Sequence, residues 1–217
     1  AGEALRLQGE IVASTRSNMS VEITREPVGV VAVISPWNFP IAIPAWKIAP
    51  ALAYGNAVVF KPSELAPASA WALTEIISRS SFPSGSFNLL MGYGRDLGPA
   101  MIHDSRVDAV TFTGSEATGR LVASSCVNRK GHIAKFQLEM GGKNPLVVLD
   151  DADLDIAVEC AVNGAFFSTG QRCTASSRLI VTEKIHDEFV TKLIKRMSQL
   201  KVGDARAADT AAARNGS

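Results

Sequence analysis

The sequence predicts an α/β protein: a parallel sheet with helices on both faces, followed by the first part of a second α/β domain. Three observations carry this expectation. Short continuous apolar runs rich in β-branched residues alternate with longer amphipathic runs, the pattern of parallel strands joined by helices. The apolar runs are strand-length and stop at Pro, Gly or polar residues. After Gly141-Gly142 the alternation restarts, so a domain boundary is expected there.

The elements follow in order. Val28 to Ile34 reads as a buried strand stopped by Ser35-Pro36, and Trp46 to Tyr54 as a helix closed by Gly55. Ala57 to Phe60 is a short buried strand, Ala66 to Ser80 a helix, and Phe82 to Gly85 a turn. Phe87 to Met91 is a strand, Arg95 to His103 a helix, Val107 to Phe112 a strand, Glu116 to Cys126 a helix, and Lys135 to Leu138 a strand. Beyond the glycine pair come a strand from Leu146 to Leu149, a helix from Asp153 to Phe167 and a loop from Ser168 to Thr174. A strand from Arg178 to Thr182 and a helix from His186 to Leu200 complete the pattern. The Ala-rich tail, 205–217, has no core-forming period, and the chain reads as a fragment.

Composition narrows the function classes. The 217 residues carry a net charge of +1, with 47% hydrophobic and 20% charged residues, an ordinary globular balance. A charge this close to zero argues against nucleic acid or a membrane surface as partner. No apolar run reaches the roughly 18 residues of a membrane span. Cys126, Cys160 and Cys173 are widely spaced, and no CxxC or Cys/His cluster exists. Neither a disulfide framework nor a metal site is expected, and the setting is expected to be cytoplasmic. His103, His132 and His186 read as surface or loop residues, and Trp37, Trp46 and Trp71 as packing residues.

Ligands of parallel sheets sit at the carboxyl ends of the strands, and those ends here are polar or glycine-rich. Asn38, after Pro36-Trp37, is either a turn residue or an amide donor to an oxyanion. Lys61 and Glu64 are either a solvated pair or groups for phosphate and ribose oxygens. Gly114 to Gly119 opens a helix that can face a phosphate, although it lacks the G-x-G-x-x-G spacing. Glu139 is either a surface strand-end carboxylate or a partly buried base. Cys173, on a glycine-containing loop beside Arg172, is either a small core residue or a nucleophile that Arg172 helps to ionise.

Five segments, taken together, resemble the aldehyde dehydrogenase superfamily. They are Pro36-Trp37-Asn38-Phe39-Pro40, Lys61-Pro62-Ser63-Glu64, Phe112-Thr113-Gly114-Ser115, Leu138 to Pro145, and Gly170-Gln171-Arg172-Cys173, in the family's order. The resemblance runs from about Ile23 to Asp204 and implies a Rossmann-like cofactor domain over 27–140. It further implies a partial catalytic domain over 141–204 and an oligomerisation arm within 1–26, part of a homo-oligomer, a dimer or tetramer.

The same resemblance implies the site. Cys173 is the nucleophile, Glu139 the general base, and Asn38 with the Cys173 backbone N–H the oxyanion hole. NAD or NADP is the cofactor, a small aldehyde the substrate. Lys61, Ser63 and Glu64 belong to the adenosine ribose, and Gly114, Ser115 and Thr118 to the pyrophosphate. Ile34, Ser35, Pro36, Trp37 and Phe112 line the cleft, joined by Gly94, Gly98 and Met140. A carboxylate at Glu64 accepts from both ribose hydroxyls and favours NAD, while a rotated Glu64 still admits NADP. Within the family, the stretches Gly170 to Arg178 and Asn144 to Asp151 look most like α-ketoglutaric semialdehyde dehydrogenases. Succinic semialdehyde and general aliphatic enzymes remain alternatives.

Overall fold

The uninterrupted β-branched run that opens at Val30 forms the strand around which the first sheet is assembled. The computed structural model describes residues 9–204, together with Gly2, Arg6 and the backbone of 212–213. The chain divides into two compact units, Ala1–Met140 and Gly141–Ser217.

In the first unit, β1 (Glu10–Ala13) and β2 (Ser20–Ile23) pair as an antiparallel hairpin with every residue exposed. Next come β3 (Val30–Ile34), α1 (Ala42–Ala53), β4 (Ala57–Lys61), α2 (Pro67–Ser78) and β5 (Phe87–Leu89). They are followed by α3 (Gly94–His103), β6 (Ala109–Gly114), α4 (Glu116–Asn128) and β7 (Lys135–Met140). Strands β3 to β7 form one parallel sheet in the order β5-β4-β3-β6-β7. Because successive side chains of a strand point to opposite faces, this sheet has two cores. Val31, Val33, Val58 and Phe60 pack against Ile48 and Leu52 of α1 and Ala70 of α2. Ala32, Val110 and Phe112 pack on the other face against Met101 and Ile102 of α3 and Val122 and Cys126 of α4. Helices therefore cover both faces, as the alternation predicts.

The start of β3 is pinned by side chains from two other connections. Asn56 is 8% exposed; its Oδ1 accepts from the N–H groups of Val28 (2.6 Å) and Gly29 (3.1 Å), and its Nδ2 donates to the Ala51 carbonyl (2.9 Å). Asp108 Oδ2 accepts from the Val30 N–H at 2.8 Å. Gly29 lies between them at φ +125°, where a Cβ would fall 2.0 Å from Asp108 Oδ2. Only glycine fits that backbone and that space.

The second unit repeats the strand–helix pattern with β8 (Asn144–Val148), α5 (Leu154–Phe166), β9 (Ser176–Val181) and α6 (His186–Met197). β8 and β9 are parallel, and Val148, Val158, Ala161 and Phe189 form their core with the helices. Asp153 caps α5 by accepting from the N–H groups of Asp155 and Ile156. β10 (Val202–Gly203) pairs in parallel with β11 (Ala212–Ala213). The rest of the expected tail, 205–217, and most of residues 1–8 of the expected arm lie outside the described residues.

Three expectations need correction. α1 begins at Ala42, not Trp46, because Pro44 sits in the first turn, where its missing N–H costs nothing. β7 extends past Leu138 to Met140, because β6 continues to Gly114 and pairs Thr113 with Glu139 and Gly114 with Met140. The tryptophans, expected as packing residues, are exposed in this chain: Trp37, Trp46 and Trp71 are 41%, 70% and 64% exposed. On α1 the buried residues are Ile43, Pro44, Ile48 and Leu52, and Trp46, two residues from both Pro44 and Ile48, falls on the opposite face of a 3.6-residue helix.

Asn56→Ala leaves two backbone N–H groups at the start of β3 without their acceptor. The expected loss is about 2–4 kcal/mol of unfolding free energy, read as a lower denaturant midpoint. A change under about 0.5 kcal/mol, the scale of an ordinary surface substitution, would show that the strand start is held by something else.

Candidate active site

From β3 the chain moves one way to β4 and β5, then returns to the other side of β3 for β6 and β7. Such a reversal opens a crevice at the carboxyl ends of the two strands that flank it. A cleft of about 480 Å³ lies there, between α3 and α4. Its floor is Ile34 at the end of β3, Lys61 at the end of β4, and Phe112 of β6. Gly94 and Gly98 of α3 and Thr118 of α4 form its walls. These six residues belong to the expected cofactor set, and the fold brings them together. The other eight stand outside this lining. Ser35, Pro36 and Trp37 follow β3, Ser63 and Glu64 follow β4, Gly114 and Ser115 join β6 to α4, and Met140 ends β7.

Lys61 is 3% exposed, and its ammonium donates to Glu64 Oε2 at 3.0 Å. The pair relieves what would otherwise be a buried lone charge. The Glu64 carboxyl is held below its usual range, first by its own backbone N–H and then by the Lys61 hydrogen bond. At the next strand end, Ser115 caps α4: its Oγ accepts from the Thr118 N–H at 3.3 Å and lies 2.9 Å from Thr118 Oγ1. Two glycines keep the surroundings open. A Cβ on Gly94 would come 3.4 Å from Lys61 Nζ, and one on Gly119 would come 2.5 Å from Met140 Sδ.

These features fit a dinucleotide. The cleft is within the size range of small-molecule sites. It offers an apolar floor for a flat ring and, at its edge, the Lys61 ammonium paired with Glu64 for hydroxyls, and α4 presents a capped helix N-terminus, a favourable neighbour for phosphate.

Of the expected catalytic residues, Asn38 and Glu139 belong to the first unit and Cys173 to the second. Asn38 is half-buried on the connection from β3 to α1. Glu139 is an exposed residue within β7 rather than a partly buried one at a strand end, since the strand runs on to Met140. Its Oε1 accepts from Gln137 Nε2 at 2.8 Å. Gln137 Oε1 in turn accepts from Thr111 Oγ1 (2.5 Å) and from Lys47 Nζ (3.0 Å), which also reaches Thr111 Oγ1 at 2.7 Å. Burial pulls the Lys47 ammonium below its ordinary value, and the Glu139 carboxylate opposes that shift.

Cys173 is a free, exposed thiol on the loop after α5. Ser168, Thr169 and Gly170 take successive positive φ values of 54°, 55° and 68°, which turn the chain sharply before it. Asn144 Nδ2 donates to the carbonyls of Cys173 (2.7 Å) and Ala175 (3.1 Å) and ties the loop to β8. The Arg172 guanidinium donates to the Asn163 carbonyl (2.6 Å) and lies over the Phe167 ring. These contacts hold the end of α5.

Lys47, Thr111, Gln137 and Asn144 had no assigned role from sequence. Asn144 sits inside the Leu138–Pro145 motif, which was a usable signal; the other three become neighbours only through tertiary structure. His103, His132 and His186 are exposed, and among the described residues no group of His, Cys, Asp or Glu is arranged to hold a metal. No helix among them is long and apolar enough to cross a membrane.

The fold thus joins a cleft at a sheet switch point to a following α/β unit that carries a loop-borne thiol. The sequence pattern of the Aldehyde dehydrogenase family matches residues 1–213, and the chain belongs to that family. It is 46% identical over 205 residues to the α-ketoglutaric semialdehyde dehydrogenase of Bacillus subtilis (strain 168), covering 94% of this chain and 41% of that protein. It is 42% identical over 200 residues to the 2,5-dioxopentanoate dehydrogenase of Saccharolobus solfataricus, covering 92% of this chain and 42% of that protein. Among solved structures, the betaine aldehyde dehydrogenase of Staphylococcus aureus in complex with NAD+ superimposes with a TM-score of 0.93 at 40% identity. That match covers 98% of this chain and 42% of the other. The chain thus spans about two-fifths of the length of these relatives.

Asn144→Ala removes both bonds that tether the Cys173 loop. Amide hydrogen exchange over residues 168–176 is expected to accelerate by about tenfold, the effect of roughly 1–2 kcal/mol of lost local stability. Unchanged exchange would mean that the turn at Ser168 to Gly170 holds the loop unaided.

Proposed function

We propose that the protein oxidises an aldehyde to its carboxylic acid with a nicotinamide dinucleotide, and that residues 27–140 bind the cofactor while residues 141–204 carry the nucleophile. The observation that carries this reading is the cleft between α3 and α4, lined by the buried Lys61, which is paired with the exposed Glu64 just outside the lining. Family membership supports the thiol chemistry.

In this mechanism the Cys173 sulfur bonds to the aldehyde carbon, and the side-chain amide of Asn38 with the Cys173 N–H stabilises the oxyanion. A bound nicotinamide cofactor supplies the two-electron acceptor that turns the adduct into a thioester. Glu139 takes a proton from a water whose oxygen bonds to the thioester carbon. The carbon–sulfur bond then breaks, releasing the acid and regenerating the Cys173 thiolate. Lys61, Ser63 and Glu64 hold the adenosine ribose. Ser115 and Thr118 at the start of α4, with Gly114, face the pyrophosphate. Ser35, Pro36, Trp37 and Met140 border the remainder.

NAD is the preferred cofactor. An exposed carboxylate held ionised at Glu64 accepts from ribose hydroxyls and repels a 2′-phosphate; the NAD+ complex of the Staphylococcus aureus relative supports this. α-Ketoglutaric semialdehyde is the proposed substrate, supported by the names of two similar relatives, from Bacillus subtilis and Saccharolobus solfataricus. The exposed hairpin of β1 and β2, with Ile11 at 84% exposure, supports a homo-oligomer in which this arm is covered by another subunit.

Steady-state assays of the full-length protein with α-ketoglutaric semialdehyde test the reading. The wild type is expected to show the higher kcat/KM with NAD. Cys173→Ala should give no reduced cofactor with either dinucleotide while still binding NAD. Turnover by the Cys173→Ala protein would overturn the assignment of the nucleophile, and a strong preference for NADP would overturn the role of Glu64.

A further inference from the structure

We propose that Gln137 is the positioning residue for the Glu139 carboxylate, a clamp whose amide orientation is set by Lys47 and Thr111. The inference rests on the reading of Glu139 as the deacylating base. It deepens that reading by naming what holds the base in place.

The argument is one of donors and acceptors. An amide side chain can be turned by 180° with little change of shape, so its orientation is decided by its partners. Lys47 can only donate. Its ammonium lies 3.0 Å from one end of the Gln137 amide, so that end is the oxygen. Thr111 Oγ1 receives a hydrogen bond from Lys47 at 2.7 Å, which directs its own proton to the same Gln137 oxygen at 2.5 Å. Lys47 rejects the flipped amide, in which an NH₂ would face its ammonium, and Glu139 rejects it too, because the amide oxygen would then face a carboxylate. The Nε2 end therefore points at Glu139 and donates to Oε1 at 2.8 Å. The bond holds the Glu139 carboxylate through Oε1 and leaves Oε2 as the atom for a water's proton.

Strand geometry makes the clamp local. Gln137 and Glu139 are two apart on β7 and share a face. Thr111 is the registered partner of Gln137 on β6, and Lys47 reaches the pair from α1. All four residues belong to the first unit. Burial lowers the pKa of the half-buried Lys47 ammonium, and the Glu139 carboxylate opposes that shift. A hydrogen bond to a charged group is the stronger kind, so loss of the clamp should be felt in the step that needs the carboxylate placed.

The test uses the full-length protein and p-nitrophenyl acetate, which acylates the thiol with release of p-nitrophenolate and needs no cofactor. Gln137→Glu keeps the shape of the side chain and its contacts to Lys47 and Thr111. It replaces only the donor that faces Glu139 with a repelling oxygen. The expected result is an initial burst of p-nitrophenolate with the wild-type rate, followed by a steady rate about tenfold lower, a barrier change of about 1.4 kcal/mol. Gln137→Leu should show the same split between the two phases. If Gln137→Leu does not fold, Gln137→Glu carries the test alone. A wild-type steady rate in Gln137→Glu, or an equal slowing of burst and steady phases, overturns the clamp. Glu139→Gln run alongside separates the two claims. If it deacylates normally, the base assignment itself fails; if it stalls while Gln137→Glu does not, only the clamp fails.

Discussion

Strand β3 is apolar on both faces to its last residue and is followed at once by Ser35, and the first unit follows from that constraint. A strand with Val31 and Val33 buried on one side and Ala32 on the other must be covered twice. That demands α1 and α2 on one face and α3 and α4 on the other. Its amino end is fixed by Asn56 and Asp108, and the close approach at Gly29 leaves no freedom in how they meet. Its carboxyl end, from Ile34 into Ser35 and Asn38, is thereby held at the switch point.

The same two-residue period separates the two kinds of chemistry. Ile34, Lys61 and Phe112 share the face of α3 and α4, where the cleft is. Thr111, Gln137 and Glu139 share the opposite face, beyond the edge of the apolar core, where Lys47 of α1 meets them. A one-residue slip of β7 against β6 would exchange the faces of Gln137 and Leu138 and dissolve the clamp. The extension of both strands to Gly114 and Met140 guards against such a slip, since it adds two registered pairs at the site end.

Elements whose pattern is set by their own residues were legible in the sequence. The strands at Val30 and Ala57 announced themselves by continuous β-branched runs, and α4 by its GxxxxG entry. Of the cleft residues, Lys61 was readable at its strand end, whereas Thr118, inside α4, came only with the family resemblance. What stayed hidden depends on pairing. Glu139 looked like a strand end because Met140-Gly141-Gly142 reads as a break, yet the partner strand β6 prolongs the ladder past it. The tryptophans read as packing residues, and helical phase turned Trp46 away from Ile48 and Leu52. Thr111 and Gln137 are 26 residues apart and ordinary in isolation, so no local pattern announces their contact. Arg172 looked like a thiolate stabiliser from its position beside Cys173, whereas its guanidinium is engaged with the carbonyl of Asn163.

The central claim is that Cys173, rather than the also exposed Cys160, captures the substrate carbon. Acid quenching of the full-length protein during turnover with α-ketoglutaric semialdehyde and NAD, followed by peptide mass mapping, tests it directly. The account predicts an acyl mass on the peptide containing Cys173 and none on the peptide containing Cys160. An adduct on Cys160, or turnover with no acylated cysteine under conditions where deacylation limits the rate, would contradict it.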